Sequence, residues 1–250
     1  MGNTKIEWTD RVWNPVTGCS PVSEGCRNCY AKRMAHRLRG RYGYPKDDPF
    51  RVTFHPGRLD EPLKWKKDSK VFVCSMADLF HENVQFEWIG HVWDAIFNRS
   101  FPDRIANKPY HTFLILTKRP CRVLQFEKWL EKDNRNVWYD NIWLGVSVEN
   151  QQTADERIPV LLQIPAAKKF VSVEPMLGFV DFQWDIYTDD IRPDWVICGA
   201  ETGPGARPMN PDWARSLRDQ CRAAGVPFFF KQMSKKAPIP KDLMIREYPE

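Results

Sequence analysis

The sequence lacks any long apolar run, and no stretch approaches the roughly 18 apolar residues that a membrane-spanning helix needs. Its polar start, from Met1 to Asp10, has no apolar segment of the kind found in secretory signals. It also has no low-complexity stretch that would divide the chain. We therefore expect a cytoplasmic protein that does not associate with a membrane.

The sequence also lacks the paired cysteines of a disulfide scaffold. It has seven cysteines, an odd number, and four of them are scattered through apolar or helical segments. In a reducing compartment this pattern indicates buried thiols together with one cluster of ligands. The four scattered cysteines are Cys74, Cys121, Cys198 and Cys221.

The composition is that of a globular protein, with 42% hydrophobic and 28% charged residues. The net charge of +5, from 37 basic and 32 acidic residues, permits an anionic partner such as nucleic acid without requiring one. We expect a single domain over residues 1–250. Residues 1–70 would form an extension with the cysteine loop and basic residues, and a tail would begin at about residue 238.

From residue 71 onward, short β-rich runs alternate with amphipathic helices. The runs are almost continuously apolar, as is typical of strands covered on both faces. This alternation predicts an α/β fold with a parallel sheet and right-handed crossovers. The six predicted strands are 71–74, 112–116, 142–146, 170–173, 195–198 and 227–230.

Two of the predicted helices carry clear start signals. Thr153 followed by Glu156 has the spacing of a capping box. Asn210 and Pro211 are typical of the start of another helix, which Gly225 would close.

A glutamate recurs just past the ends of three successive strands. Glu149, Glu174 and Glu201 are 25 and then 27 residues apart, about one βα unit each time. In a barrel such residues converge on one mouth, whereas an open doubly wound sheet gathers only those at its switch point. The repeat favours a partial (β/α) TIM-type barrel of six to seven parallel strands.

Three cysteines, Cys19, Cys26 and Cys29, lie within eleven residues. Gly18 and Gly25 precede two of them and indicate a tight loop. The helix predicted to follow places Cys29 at its N-terminus, where the helix dipole favours a thiolate.

The number of ligands bears on the kind of metal centre. A structural zinc site is closed by four ligands, whereas three thiolates with one open position suit a four-iron cluster. Three alternatives stay open at this point: a zinc loop completed by His36, one completed by a distant cysteine, and a loop without metal.

Nine segments of the sequence match a known family. Those in the first half are Lys5-Ile-Glu-Trp-Thr-Asp10, Trp13-Asn-Pro-Val-Thr-Gly-Cys19, Gly25-Cys26-Arg-Asn-Cys29-Tyr-Ala31, Ser75-Met-Ala-Asp-Leu-Phe-His81 and Leu116-Thr-Lys-Arg-Pro120. Those in the second half are Leu144-Gly-Val-Ser-Val-Glu-Asn150, Val171-Ser-Val-Glu-Pro-Met-Leu-Gly178, Gly203-Pro-Gly-Ala-Arg-Pro208 and Phe228-Phe-Phe-Lys-Gln232. In these segments the sequence resembles the phage- and prophage-associated three-cysteine family of unknown function, which is similar to radical S-adenosylmethionine (SAM) enzymes. The first gap between cysteines, six residues, is longer than is usual in those enzymes, and Asn28 replaces the usual aromatic residue before the last cysteine.

The resemblance implies a [4Fe-4S] cluster whose open iron binds SAM, and an electron donor whose electron cleaves SAM to a 5′-deoxyadenosyl radical. The metal ligands would be Cys19, Cys26 and Cys29. The residues that would bind SAM are candidates because they lie just after predicted strands or in loops near them. They are Tyr30, Ser75, Asp78, Ser147, Glu149, Asn150 and Arg207. Candidate catalytic residues are His81, Glu174 and Glu201, and an anionic substrate would meet Lys118, Arg119, Lys231 and Gln232. The alternative for each carboxylate is a structural salt bridge, and for the loop of Arg207 it is a purely structural loop.

Basic residues interleaved with aromatic residues suit the phosphates and bases of nucleic acid, whereas the alternative is a basic helical face that is simply solvated. Modification or repair of a nucleic-acid base is one hypothesis. A second hypothesis is a nucleic-acid-binding module stabilised by zinc or an iron–sulfur cluster, without SAM chemistry. A third is an enzyme that uses the open iron as a Lewis acid. The basic residues are Lys32, Arg33, Arg37, Arg39 and Arg41, with Lys64-Trp-Lys-Lys67 as a second patch.

Overall fold

A computed structural model describes residue 4 and residues 6–100, 110–132, 138–184 and 192–250. Seven strands form one sheet in the order β1-β4-β5-β6-β7-β8-β9, and β2 pairs with β3 in a small antiparallel sheet. The strands are β1 (Arg11–Trp13), β2 (Val16–Thr17), β3 (Thr53–Phe54), β4 (Ser69–Val73), β5 (His111–Thr117), β6 (Ile142–Val148), β7 (Lys168–Val173), β8 (Trp195–Cys198) and β9 (Phe228–Phe230).

The strands follow one another through the sheet in chain order, without the reversal that marks a doubly wound sheet. The pairs β1–β4, β4–β5, β7–β8 and β8–β9 are parallel. The prediction of an α/β fold with six to seven parallel strands is therefore confirmed. The six predicted strands all exist, with bounds within three residues of those expected.

The seventh strand, β1, was not among the predicted strands. It has only three residues, and Arg11 and Val12 are only half-buried, so it shows no apolar run. Its register pairs Val12 with Phe72 and Trp13 with Val73.

Five α-helices accompany the strands in the part of the chain that the structure describes. The helix α1 begins directly after Cys29, as predicted. The helices are α1 (Tyr30–Arg37), α2 (Phe86–Ser100), α3 (Pro120–Glu131), α4 (Gln151–Gln163) and α5 (Pro211–Ala223). No helix within the described ranges is long and apolar enough to cross a membrane.

The capping signal of α4 differs from the predicted one. Asn150, not Thr153, is the N-cap, because its side chain accepts a hydrogen bond from the Thr153 backbone N–H at 3.0 Å. The Thr153 hydroxyl accepts one from the Asn150 backbone N–H at 3.2 Å and so completes the capping box. The predicted box, with Thr153 as its first residue, was therefore wrong by one helical turn. The predicted start of α5 at Asn210 and Pro211 is confirmed.

The chain divides into two compact units. The first comprises Met1–Ser20, Tyr30–Leu144 and Pro165–Ala167, and the second comprises Pro21–Cys29, Gly145–Ile164 and Lys168–Glu250. Large side chains that are almost fully buried form the core of each unit. In the first they include Trp13, Phe80, Trp93, Phe113 and Phe126, and in the second Phe170, Trp195, Phe228, Phe229 and Phe230.

Residues 238–250, which the sequence predicts to be a tail, pack within the second unit. Phe230 donates its backbone N–H to the Ile245 carbonyl at 3.0 Å, and the Trp195 indole donates to the Glu247 carbonyl at 2.9 Å. Leu243 is fully buried. This segment thus pairs antiparallel with β9 through backbone hydrogen bonds, and Leu243 is its buried residue.

Candidate functional site

The three cysteines of the predicted metal loop are free thiols, and each is partly exposed. Cys19 belongs to the first unit, whereas Cys26 and Cys29 belong to the second. No three His, Cys, Asp or Glu side chains in the described ranges form a group placed to hold a metal ion. The assignment of Cys19, Cys26 and Cys29 as metal ligands therefore stays a prediction, and the donor chemistry of three free thiols fits an iron or zinc centre.

In the first unit, Cys19 contacts the guanidinium of Arg119. The Nη1 atom of Arg119 lies 3.7 Å from Cys19 Sγ and 3.1 Å from Asp78 Oδ2. The other nitrogens donate to Glu82 at 2.9 Å and to the Ser20 carbonyl at 3.1 Å. Arg119 thus fixes the backbone beside Cys19 and offers an N–H group to its sulfur. Its predicted role in substrate binding stays a prediction.

Asp78 is the carboxylate that orients Arg119. Its Oδ1 accepts hydrogen bonds from the Thr117 hydroxyl at 2.7 Å and from the Phe80 backbone N–H at 3.0 Å. Its Oδ2 also accepts from the Lys118 backbone N–H at 3.0 Å. The Asp78 carboxylate thus already accepts hydrogen bonds from four donors. A SAM ammonium group at this position would have to share an oxygen with one of these donors or displace it.

Burial, followed by the charge of Asp78, raises the pKa of the Cys19 thiol to about 11. The guanidinium of Arg119 opposes this effect through its charge and its hydrogen bond. In the chain without metal, Cys19 is therefore a protonated thiol near neutral pH.

His81, a predicted catalytic residue, is only 1% exposed. Its Nε2 lies 2.7 Å from the Ser20 hydroxyl, and its Nδ1 accepts a hydrogen bond from the Asn83 backbone N–H at 3.0 Å. Burial, followed by the charge of Arg119, lowers the pKa of His81 and favours the neutral ring. The structure therefore gives His81 a contact that positions Ser20, the neighbour of Cys19, and the catalytic role of His81 stays a prediction.

Tyr30 and Ser75, both predicted to bind SAM, contact each other. The Tyr30 hydroxyl donates to the Ser75 carbonyl, and the Ser75 hydroxyl donates to Asn14 Oδ1 at 3.2 Å. Tyr30 is 48% exposed, so its ring is open to solvent.

In the second unit, Cys26 and Cys29 lie on one turn, because the Cys29 backbone N–H donates to the Cys26 carbonyl at 3.3 Å. The turn contacts Glu149, whose Oε1 accepts from the Ser23 hydroxyl at 2.7 Å. A Cβ atom on Gly25 would lie 2.4 Å from Glu149 Cγ. Gly25 is therefore needed because the buried Glu149 leaves no room for a side chain at this position.

Glu149 is itself fully buried and paired. The Arg157 Nη1 atom lies 3.2 Å from Glu149 Oε2, and the Glu149 backbone N–H donates to the Thr153 hydroxyl at 2.9 Å. The neighbouring Asn150 uses its side chain to cap α4. Glu149 and Asn150, both predicted to bind SAM, thus have structural partners on α4.

Glu201 anchors the other side of the cysteine turn. Its carboxylate forms an ion pair with Arg207 and accepts from the Asn28 amide at 2.9 Å. Arg207 also donates to Glu24 Oε2 at 2.9 Å. Burial alone would raise the pKa of Glu201, but the hydrogen bonds from Arg207 and Asn28 outweigh it and lower the pKa to about 2. These contacts connect the residue before Cys29 to the loop that follows β8.

Glu174 brings together residues with two different predicted roles. Its Oε1 accepts from Lys231 Nζ at 2.8 Å and from the Gln232 amide at 2.9 Å. The Ser147 hydroxyl donates to the Glu174 carbonyl at 3.0 Å. The predicted catalytic carboxylate thus forms an ion pair with a residue predicted to bind substrate.

Sequence reasoning missed the polar residues that anchor the cysteines. The sequence offers one signal for these residues, which is the composition of the loop: serine, glutamate and asparagine lie between its cysteines. The missed residues are Asn14, Ser20, Ser23, Glu24, Asn28, Glu82 and Arg157.

Comparison with known proteins gives one match. The family model described as "Protein of unknown function (DUF5131)" matches residues 3–244. No curated protein and no solved structure matches the chain. Because the family model covers nearly the whole sequence, the chain belongs to the family described as protein of unknown function, DUF5131.

Proposed function

We propose that this protein is an iron–sulfur enzyme of the radical SAM type, with a [4Fe-4S] cluster on Cys19, Cys26 and Cys29. The observation that carries the proposal is that buried or half-buried charged side chains anchor each part of the cysteine segment. Arg119 contacts Cys19, and Glu149 and Glu201 hold the turn of Cys26 and Cys29. When bound, a cluster with an open iron supplies an electron for cleavage of SAM.

The anchoring pattern is what a metal centre requires of its surroundings. Groups around the ligands fix their orientation and tune the metal, and they matter almost as much as the ligands themselves. The N–H of Arg119 directed at Cys19 Sγ would stabilise negative charge on that sulfur. Asp78 and Glu82 in turn hold the guanidinium in place.

The strand order also supports the proposal. Consecutive parallel strands in chain order are typical of TIM-type barrels, which keep their chemistry at the carboxyl ends of the strands. Glu149, Glu174 and Glu201 follow β6, β7 and β8 in that order. We propose that the sheet is a partial TIM-type barrel and that SAM lies at these ends.

The ion pair of Glu174 and Lys231 offers both a carboxylate and an ammonium group at these strand ends. Both side chains are about one quarter exposed, so a ligand can reach them. We propose that Glu174 accepts hydrogen bonds from SAM or substrate while Lys231 holds its orientation.

Anaerobic reconstitution with iron and sulfide, followed by reduction in the presence of SAM, tests the proposal. We expect 5′-deoxyadenosine and methionine as products, measured by liquid chromatography and mass spectrometry. Cys26→Ser should abolish both products, whereas Cys121→Ser, a matched change at an exposed cysteine outside the loop, should not. A fully loaded cluster that never cleaves SAM contradicts the SAM chemistry and favours a Lewis-acid role for the open iron.

The second candidate function is a metal-stabilised module that binds nucleic acid without SAM chemistry. Six basic residues without an acidic residue in residues 30–46 favour nucleic-acid binding under either hypothesis. Stoichiometric zinc without iron after anaerobic purification would favour this module and contradict the iron–sulfur enzyme.

A further inference from the structure

One short segment carries a net charge of +6. Residues 30–46, here called the basic segment, contain six of the 37 basic residues and none of the 32 acidic ones. Without this segment the chain would have 31 basic and 32 acidic residues. The rest of the chain is therefore nearly neutral in sum, with Lys64-Trp-Lys-Lys67 as its second basic patch. The six basic residues are Lys32, Arg33, Arg37, Arg39, Arg41 and Lys46.

The structure turns most of this charge outward. The helix α1 buries Ala31 and Ala35, the two small residues of its inner face. Five of the six basic residues are exposed: Lys32, Arg37, Arg39, Arg41 and Lys46. Within the part of the chain that the structure describes, none of these five forms an ion pair with a carboxylate.

The turn after α1 is ordered by its own hydrogen bonds. Arg39 donates to the Lys46 carbonyl at 3.2 Å, and Arg41 donates to the Arg37 carbonyl at 3.2 Å. The Gly40 backbone N–H donates to the Tyr44 carbonyl at 2.9 Å. These contacts hold Arg39 beside the backbone of Lys46 and Arg41 beside that of Arg37, and among the described residues they leave the guanidinium charges without a carboxylate partner.

Exposed aromatic rings lie among these charges. Tyr42 is 73% exposed and Tyr30 is 48% exposed, and Met34 adds an apolar side chain that is 38% exposed. A planar ring with this much open surface can stack on a nucleobase, which duplex DNA keeps inside its helix. Cations that neutralise phosphates together with rings that stack on bases are the two features of a single-strand binding surface.

We infer that the basic segment binds single-stranded nucleic acid, with the arginines and lysines on the phosphates and Tyr42 on a base. The segment begins at the residue after Cys29 in the chain. This inference names the substrate class of the proposed enzyme and so deepens the proposed function. The binding itself needs neither iron nor SAM.

Fluorescence anisotropy of labelled oligothymidylate and oligouridylate of about 20 nucleotides tests the inference. We expect binding that weakens by about tenfold or more in the triple variant Lys32→Gln, Arg37→Gln, Arg41→Gln. The slope of log Kd against log salt should fall by about 2, because each lost phosphate contact contributes about 0.7 on a single strand. The matched control removes three exposed charges elsewhere, in Lys128→Gln, Arg222→Gln, Lys241→Gln.

A Tyr42→Ala variant distinguishes the contribution of base stacking to binding from that of the phosphate contacts. It should weaken binding by about tenfold while the salt slope stays unchanged. Equal losses in the basic-segment variant and the control variant overturn the inference, and so does equal affinity for single strand and duplex. Circular dichroism and thermal unfolding would establish that each variant is folded.

The two proposals fail in different ways. A protein that binds the oligonucleotide but never cleaves SAM overturns the enzymatic proposal and supports the binding surface. A protein that cleaves SAM but binds no oligonucleotide overturns the binding surface alone.

Discussion

The guanidinium of Arg119 lies 3.7 Å from the sulfur of Cys19, and both side chains belong to the same compact unit. The sequence predicted one of these residues as a substrate contact and the other as a metal ligand. The observed distance makes Arg119 a partner of the predicted ligand. Arg119 therefore contacts both the Cys19 sulfur and the buried carboxylate of Asp78, with which it forms an ion pair.

The reactivity of Cys19 should depend on Arg119. Burial and Asp78 raise the pKa of the thiol, and Arg119 opposes that effect, so Arg119→Gln should raise the pKa further. In the metal-free protein, alkylation of Cys19 by iodoacetamide at about pH 8.5 should slow by about tenfold. Mass spectrometry of the peptides measures the rate.

The matched control for this prediction is Arg222→Gln, which removes an exposed arginine elsewhere and should leave the rate unchanged. An unchanged or faster rate at Cys19 in a folded Arg119→Gln variant would contradict the proposed interaction.

Gly25 should not tolerate a side chain. The Cβ atom of Gly25→Ala would lie 2.4 Å from Glu149 Cγ, and Glu149 is fully buried and paired with Arg157. Since neither side chain has room to move, we expect destabilisation of about 2 kcal/mol. Denaturant unfolding measures the change.

Gly57→Ala provides the comparison, because nothing lies within 4 Å of a Cβ atom at that position. Similar stability losses in the two variants would show that Gly25 has no special steric role.

The ion pair of Glu201 and Arg207 should make stability depend on acid pH. The folded-state pKa of Glu201 is about 2, whereas an unfolded glutamate titrates near about 4.3. The contribution is therefore complete above about pH 5 and is lost as the pH falls through 4 towards 2. We expect Glu201→Gln to lower the free energy of unfolding by about 2 kcal/mol at neutral pH.

The difference between Glu201→Gln and the natural protein should shrink as the pH falls below about 4. Glu156→Gln serves as the control at an exposed glutamate and should show little difference at either pH. A difference for Glu201→Gln that stays constant from neutral to acid pH argues against the ion pair as its cause.

The C-terminal segment should contribute to stability. Leu243 is fully buried, so Leu243→Ala should cost about 3 kcal/mol. The neighbouring Met244 is 62% exposed, and Met244→Ala should have almost no effect. Chemical denaturation of both variants tests whether residues 238–250 belong to the core, and equal effects would favour a loosely attached tail.

The sheet could be predicted from the sequence because its strands are apolar on both faces and alternate with helices. β1 escaped prediction because it has only three residues, Arg11 among them, and this short segment becomes a strand only when β4 provides the hydrogen-bonding partner. The position of Cys29 before α1 could be predicted from local pattern alone.

The anchors of the site could not be predicted in this way. Asn28 and Glu201 are 173 residues apart in the chain, and Cys19 and Arg119 are 100 apart. Local periodicity carries no information about such pairs. The glutamates at the strand ends could therefore be predicted from their position in the sequence. The residues that form hydrogen bonds and ion pairs with them became evident only from the fold.

The iron content of anaerobically purified protein tests the metal assignment most directly. We predict about four iron atoms and as many sulfides per chain in the natural protein and in Cys121→Ser. Cys19→Ser, Cys26→Ser and Cys29→Ser should each lose most of the iron. Stoichiometric zinc without iron, or full iron occupancy in Cys26→Ser, would contradict the iron–sulfur centre.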